Sequence, residues 1–278
     1  MNEITRNEFL ASLKAYHPPV QCESYLIYAM NFRPHDAAVK YYRTDGCAVF
    51  CHSCDCGGTY RIECCIHEIS DDCDLPEAYR TCETMTASEL VKHDRCERRF
   101  ALLHCGALPF PDVLNNLPGT YRFARIAEEP EGIPDPHVCV LTKKDYADIR
   151  AMCDPALLQN DSRFARNEAH TFFRCFSSWE YADGYVKLLG FRDDRGNLTG
   201  IASWSMQDTF NLCCCLRDIF VSREGRGHGV GKALVRAAMA NAPGKEWLYQ
   251  ANRENKASIA LAESLGFTLA GARLEVIL

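Results

Sequence analysis

The sequence predicts a mixed α/β protein of two domains, and three observations carry that expectation. At 278 residues the chain is nearly twice a typical domain of about 150. A stretch of prolines, glycine and acids at 127–136, AEEPEGIPDP, suits neither helix nor strand and reads as a linker. On both sides of it, strand-like apolar stretches alternate with helix-like ones. The expected division is therefore 1–126, a linker at 127–136, and 137–278.

In the first part, Thr5 and Glu8 have capping-box spacing ahead of Phe9, Leu10 and Leu13, so a helix is expected there. His17-Pro18-Pro19 ends it. Ser24 to Met30 reads as a strand. Cys47 to His52 and Thr59 to His67 read as strands around a Cys56-Gly57-Gly58 turn. Ala87 to Cys105 reads as a helix and Tyr121 to Ile126 as a strand. This part lacks a glycine-rich strand-to-helix turn.

The second part reads β-α-α-β-β-β-α-β-α-β. His137 to Leu141 is a strand and Lys143 to Cys153 a helix, and a less regular helical stretch covers about 160–180. Tyr185 to Arg192 and Leu198 to Met206 make a hairpin around Asp194-Arg195-Gly196-Asn197. Leu212 to Val221 is an apolar strand, followed by a glycine-rich turn and a helix from Val230 to Ala240. Trp247 to Ala251 is a strand, Lys256 to Leu265 a helix, and Phe267 to Leu278 supplies the last strands.

Charge and composition exclude several function classes. The net charge of -6 divides into 13 Lys+Arg against 21 Asp+Glu in residues 1–135 and 18 against 16 in the rest. Neither part has the basic excess of a nucleic-acid binder. No apolar run approaches the 18 or so residues of a membrane helix, and MNEITRNEFL lacks a secretory apolar core. A cytoplasmic protein is the expectation. The 17 cysteines then read as reduced thiols, with Cys64-Cys65 and Cys213-Cys214-Cys215 as small buried hydrophobes on strands. Cys51-x-x-Cys54-x-Cys56, with His52, Cys64, Cys65 and His67, raises the question of zinc. No second Cys-x-x-Cys follows, and Cys64 and Cys65 point to opposite strand faces, so free thiols and no metal are expected.

Arg226-Gly227-His228-Gly229-Val230-Gly231-Lys232 lies between the apolar strand and the next helix. Glycines there let backbone approach a ligand, and free amides at a helix start favour an anion such as a pyrophosphate. Ala233 after Lys232 excludes a Walker loop, and the preceding meander excludes a dinucleotide fingerprint. Downstream, Asn255 is placed to cap a helix that ends at Leu265-Gly266-Phe267.

Together these segments, LRDIFVSREGRGHGVGKALV and NKASIALAESLGF, resemble the GNAT superfamily of acyl-CoA-dependent N-acetyltransferases. Arg226, Gly229 and Gly231 match its Arg/Gln-x-x-Gly-x-Gly/Ala signature, and Asn255 to Phe267 matches its asparagine-led helix. The resemblance covers roughly 136–278. It implies a mixed, mostly antiparallel sheet flanked by helices, with acetyl-CoA as co-substrate. Residues 1–126 are then either a degenerate copy of the same fold or an unrelated accessory domain. The resemblance also implies that backbone amides of Arg226 to Lys232 bind the pyrophosphate, that Ile219, Phe220 and Val221 hold the pantetheine arm and thioester carbonyl, and that Asn255 contacts the cofactor. Ser258, one turn along, joins this set. A neutral amine, from a small molecule or a peptide, attacks the thioester directly. A non-catalytic acyl-CoA sensor and a metal-binding module are the rival readings, and monomer and homodimer both stay open.

Two departures matter. Many members carry a tyrosine where this chain has Ala262, so the proton for the leaving thiolate has another source. Some small-amine acetyltransferases carry Glu-Asp where this chain has Arg217-Asp218, which makes Asp218 the candidate base. Phe172, Phe173, Trp179, Glu180 and Tyr181 lie in the region that covers the family's acceptor site and are candidates to line it, although an aromatic stripe at helical spacing is usually core.

Overall fold

Thr5 and Glu8 close the first helix as their spacing predicts. The Thr5 N–H and hydroxyl donate to the Glu8 carboxylate at 2.7 and 2.8 Å, and the Glu8 N–H donates to Thr5 Oγ1 at 3.3 Å. These reciprocal bonds satisfy donors that a helix start leaves open. The computed structural model describes residues 1–16, 39–44, 46–55, 58–70, 72–105, 117–127, 135–174, 186–206 and 213–278. The expected strand Ser24–Met30 lies outside them, as do Cys56, Gly57 and most of the expected linker.

In chain order the first elements are β1 (Asn2–Ile4), α1 (Arg6–Tyr16), β2 (Val39–Arg43), β3 (Cys47–Asp55), β4 (Tyr60–Glu68), α2 (Leu75–Ala87), β5 (Cys96–Cys105) and β6 (Gly119–Ile126). They are followed by β7 (Val138–Val140), α3 (Tyr146–Met152), α4 (Arg163–Arg174), β8 (Val186–Arg192), β9 (Leu198–Met206) and β10 (Cys213–Val221). The last are α5 (Val230–Ala240), β11 (Glu246–Asn252), α6 (Lys256–Ser264) and β12 (Thr268–Ile277). They form two compact units. One holds Met1–Phe123, Ala251–Glu254 and Leu269–Leu278, the other Ala124–Gln250 and Asn255–Thr268.

The two units repeat one plan. In the first, β1 to β4 are successively antiparallel, α2 crosses over, and β5 returns parallel to β4. β12 then pairs antiparallel with β5, from Gly271 opposite Cys105 to Ile277 opposite Arg99. In the second, β7 to β10 are successively antiparallel, α5 crosses over, and β11 returns parallel to β10. In the first unit α1 lies between the first two strands in sequence, and in the second α3 and α4 do. Each is a mixed, mostly antiparallel sheet flanked by helices, and the shared plan favours the degenerate-copy reading of residues 1–126.

One expected element is corrected. Ala87–Cys105 is not a helix: α2 ends at Ala87, a short 3-10 turn covers Ser88–Val91, and β5 starts at Cys96. The reason is burial on both strand faces. Phe100, Ala101, Leu102 and Leu103 are all buried in succession: β5 is an interior strand between β4 and β12, and Phe100 and Leu102 pack with Leu75, Ala78 and Cys82 of α2. Such a continuous apolar run has no period that separates strand from helix. The buried stripe of helix α2 is Leu75, Ala78, Cys82 and Thr86, weakly apolar at two of four places, so its sequence carries little helical periodicity.

In the second unit a core of Leu141, Ile149, Cys153, Leu158, Ala169, Phe172, Leu188, Ile201 and Phe220 packs α3 and α4 onto the sheet. Cys213, Cys214 and Cys215 are buried, as expected of small hydrophobes on a strand. Among the described residues no helix is long and apolar enough to cross a membrane.

Candidate active site

The site begins where two parallel strands part. β10 and β11 pair from Cys213 opposite Glu246 to Leu216 opposite Tyr249, and the pairing stops there although both strands run on. On the other side β10 stays paired with β9, but its register shifts between Leu216 and Asp218. Such a bulge bends and twists its strand, and here it occurs where β10 leaves β11. The opening between them is a cavity of about 650 Å³, lined by Ile219, Phe220 and Val221 on one wall and Tyr249 and Gln250 on the other.

The glycine turn closes one end. Gly227 and Gly229 have φ of 80° and 79°, which L side chains rarely adopt, and nothing lies within 4 Å of a Cβ built on either. The demand for glycine is therefore conformational, not spatial. Gly229 caps α5 without a side-chain bond. The first-turn N–H groups of α5 have no intrahelical acceptor, and Val230, Gly231 and Lys232 all line the cavity. Arg226 braces the turn: its Nε donates to the Val221 carbonyl at 3.1 Å, and its guanidinium grips both carboxylate oxygens of Asp161 at 2.7 and 3.1 Å. The hydrogen bonds from Arg226 hold the Asp161 carboxyl below its ordinary range. Asp161→Ala is expected to weaken cofactor binding about 3–10-fold by loosening this brace, with little loss of stability, since a partly exposed ion pair contributes about 1 kcal/mol or less. Calorimetric titration and a thermal melt check the two halves of that statement.

Helix α4 supplies another wall through Phe164, Ala165 and Glu168. Glu168 Oε2 is buried with no hydrogen-bond partner among the described residues. Burial, and then the neighbouring Asp218 carboxylate, push the Glu168 carboxyl up to about 8. Asp218 is not among the cavity-lining residues. Its Oδ2 accepts from the Ser203 hydroxyl at 3.1 Å, and its backbone N–H donates to Ser203 Oγ at 3.2 Å. The final wall is α6. Asn255 caps it by accepting the Ser258 N–H at 3.2 Å, and Ser258 Oγ lies 2.9 Å from Tyr249 Oη. Burial pushes the Tyr249 phenol up to about 12.

Residues 153–267 match the model of the Acetyltransferase (GNAT) family. The C-terminal half is a GNAT acetyltransferase domain. No functionally curated protein matches the chain. Among solved structures, a tandem GNAT protein from the clavulanic acid biosynthesis pathway, solved without AcCoA, is 14% identical. The match covers 99% of this chain and 97% of that one, with a TM-score of 0.59. A GCN5-related N-acetyltransferase from Sphaerobacter thermophilus is 9% identical over 100% of this chain and 94% of its own, at TM-score 0.55. A GNAT-family acetyltransferase from Colwellia psychrerythraea is 12% identical over 99% and 97%, at 0.53. At these identities the likeness is one of fold, and it extends over both units.

Against this frame, the residues expected at the cofactor site gather around one cavity. Ile219, Phe220, Val221, Arg226, Gly227, Gly229, Val230, Gly231, Lys232, Asn255 and Ser258 all line it. His228 does not; it is an exposed residue of the turn. The candidate base Asp218 sits behind the wall, while Arg217 lines the cavity. Phe172 is in the core and Phe173 packs against it, as an aromatic stripe at helical spacing usually does, and α4 shows the cavity Phe164, Ala165 and Glu168 instead. Trp179, Glu180 and Tyr181 lie outside the described residues. Ala262 is fully buried and away from the cavity wall, so a tyrosine there would have to displace core atoms. Glu168 and Tyr249 were missed. Nothing in the local pattern of RNEAH or WLYQA sets them apart from ordinary helix and strand residues.

The cysteine-rich hairpin of the first unit pairs Cys51 with Cys64, His52 with Glu63 and Cys54 with Arg61. Hydrogen bonding from Cys51 and then burial push the Cys64 thiol far up. Among the described residues no three His, Cys, Asp or Glu side chains form a metal-holding group. Cys47 and Cys73 are disulfide-bonded, which corrects the expectation of thiols throughout.

Proposed function

We propose that residues 137–278 bind acetyl-CoA in this cavity and transfer its acetyl group to a primary amine by direct attack, with residues 1–126 as a non-binding copy of the fold joined through 127–136. The observation that supports this most is the pairing of an open strand edge, Ile219 to Val221, with an uncapped helix start at Gly229. Backbone amides and the helix dipole suit the pyrophosphate. A free strand edge suits the amide-bearing pantetheine arm, which binds as an added strand would. Holding both reactants converts a bimolecular attack into a positioned one, and no covalent enzyme intermediate is required. The acceptor is a small-molecule or peptide amine. The cytoplasm is the proposed compartment, since most described cysteines are free thiols. Calorimetric titration with acetyl-CoA, followed by thiol release across a panel of amines, tests the reading. Binding without thiol release for any amine would favour the sensor instead.

One acetyl-CoA per chain is expected. In the first unit, β4 and β5 stay paired from Tyr60 opposite Cys96 to His67 opposite Leu103, so no wedge opens along that stretch. The start of α2 is already filled: Asp74 Oδ1 accepts the Glu77 N–H at 2.9 Å, and Glu77 itself stands in the first turn. Carboxylates there repel the pyrophosphate that an open helix start would attract. A titration fitting two equivalent sites per chain would contradict this.

A further inference from the structure

We propose that Glu168 is the general base of the transfer, taking the proton from the attacking amine, with Asp218 as the positioning residue behind it. The proposal rests on the acetyl-transfer reading above and names the group that performs its proton step. It moves the base from strand β10, where the sequence comparison put it, to helix α4.

Geometry selects Glu168 over Asp218. Glu168 lines the cavity and Asp218 does not. Asp218 is occupied by Ser203 through both its carboxylate and its backbone N–H. Glu168 keeps a buried oxygen, Oε2, with no partner among the described residues. An orphaned buried acceptor costs free energy unless a partner satisfies it. Oε2 is closed to solvent, so a bound amine N–H satisfies it once the side chain turns toward the cavity that Glu168 lines. The Glu168 carboxyl also hydrogen-bonds with Asp218 and with the backbone of Ile219. That ties it to the strand whose edge lines the cavity beyond Leu216.

The step balances without a further reactant. The amine nitrogen attacks the thioester carbon, the C–N bond forms and the C–S bond breaks. The electron pair leaves on sulfur, and the amine proton passes to the Glu168 carboxylate. The enzyme resets when that proton is lost to solvent or to the departing thiolate.

The surroundings set the pH at which this works. Asp218 faces Glu168 from β10, and Glu168 in turn helps to raise the phenol of Tyr249 on β11. Arg217, Lys232 and Arg226 line the same cavity, the last engaged with Asp161. Burial and the Asp218 charge both oppose a second negative charge, so the carboxyl stays protonated until about pH 8. Only the ionised form accepts a proton, so rate rises with pH through that value. A base poised near the working pH combines availability with driving force.

The test compares Glu168→Gln with the unaltered chain. Acetyl-CoA affinity, by calorimetry, is expected to stay within about threefold, which also shows that the variant folds. Amine-dependent thiol release, with a diamine, an amino-acid amide and a dipeptide as probes, is expected to fall by about 10²–10⁴-fold, the range of a lost general base. Asp218→Asn should move the midpoint of the kcat/KM profile to lower pH by roughly one unit, because it removes a like charge. Glu168→Asp should restore part of the lost rate. Independently of turnover, difference infrared spectroscopy should show a protonated-carboxyl band that titrates away near pH 8 and is missing in Glu168→Gln. Thiol release in Glu168→Gln within threefold of the parent would overturn the proposal, and so would a parent protein without that band. Failure of the parent to bind acetyl-CoA would overturn the underlying acetyl-transfer reading instead.

Discussion

Replacing Gly229 with aspartate is expected to abolish acetyl-CoA binding. Two costs act together. Gly229 sits at φ 79°, where a side chain adds about 1–2 kcal/mol of backbone strain. The new carboxylate would also stand at the uncapped start of α5, where it can take the first-turn amides as Asp74 does at α2 and repel the pyrophosphate. Together they should weaken binding by at least ~100-fold, with each ~1.4 kcal/mol counting tenfold. Gly229→Ala separates the two costs, since it carries the strain without the charge. It should weaken binding by up to about 5–30-fold, the equivalent of ~1–2 kcal/mol, to the extent that the unliganded turn relaxes out of φ 79° and binding must restore it. Calorimetry measures both, and a thermal melt shows whether each variant is folded. Unchanged affinity in Gly229→Asp would remove the turn from the cofactor site.

What the sequence showed of this site follows from which atoms do the binding. A cradle made of backbone N–H groups is written in glycines, so the turn at Arg226 to Lys232 was readable. Helix α5 begins and ends at the expected Val230 and Ala240. Capping is local too, and Asn255 caps α6 as its spacing predicts. Glu168 is different. Its character comes from packing against Asp218, fifty residues away on another element, and a solvent-facing glutamate in the same helix would have the same local sequence. The same limit explains β5. β5 is an interior strand because β12, supplied by the far end of the chain, pairs beside it, and no window around residue 100 contains that partner. Ala262 marks the reverse case: the motif aligned it with a catalytic position, but packing placed it in the core.

Tyr249→Phe is expected to lower kcat by about tenfold or more while leaving the KM for acetyl-CoA within about twofold. Where many relatives carry a tyrosine this chain has buried Ala262, so a hydroxyl that assists the leaving sulfur comes from another position. Tyr249 marks the point where β10 and β11 part, lines the cavity, and is held by Ser258 at 2.9 Å. Its phenol, pushed up to about 12, keeps its proton throughout the working range. It is therefore expected to act by hydrogen bonding to negative charge as it develops on sulfur, not by giving up its proton outright. Such a bond is stronger in the transition state than in the bound thioester, so its loss appears in kcat and spares binding. A thiolate with a pKa near 8.5 is already a tolerable leaving group, which keeps the effect below that of a lost base. Ser258→Ala should cost less, because the phenol survives and loses only the partner that orients it. Steady-state kinetics on both variants decides the point. Equal kcat in Tyr249→Phe and the parent would leave the thiolate to depart unassisted, and a rise in KM alone would make Tyr249 a binding residue.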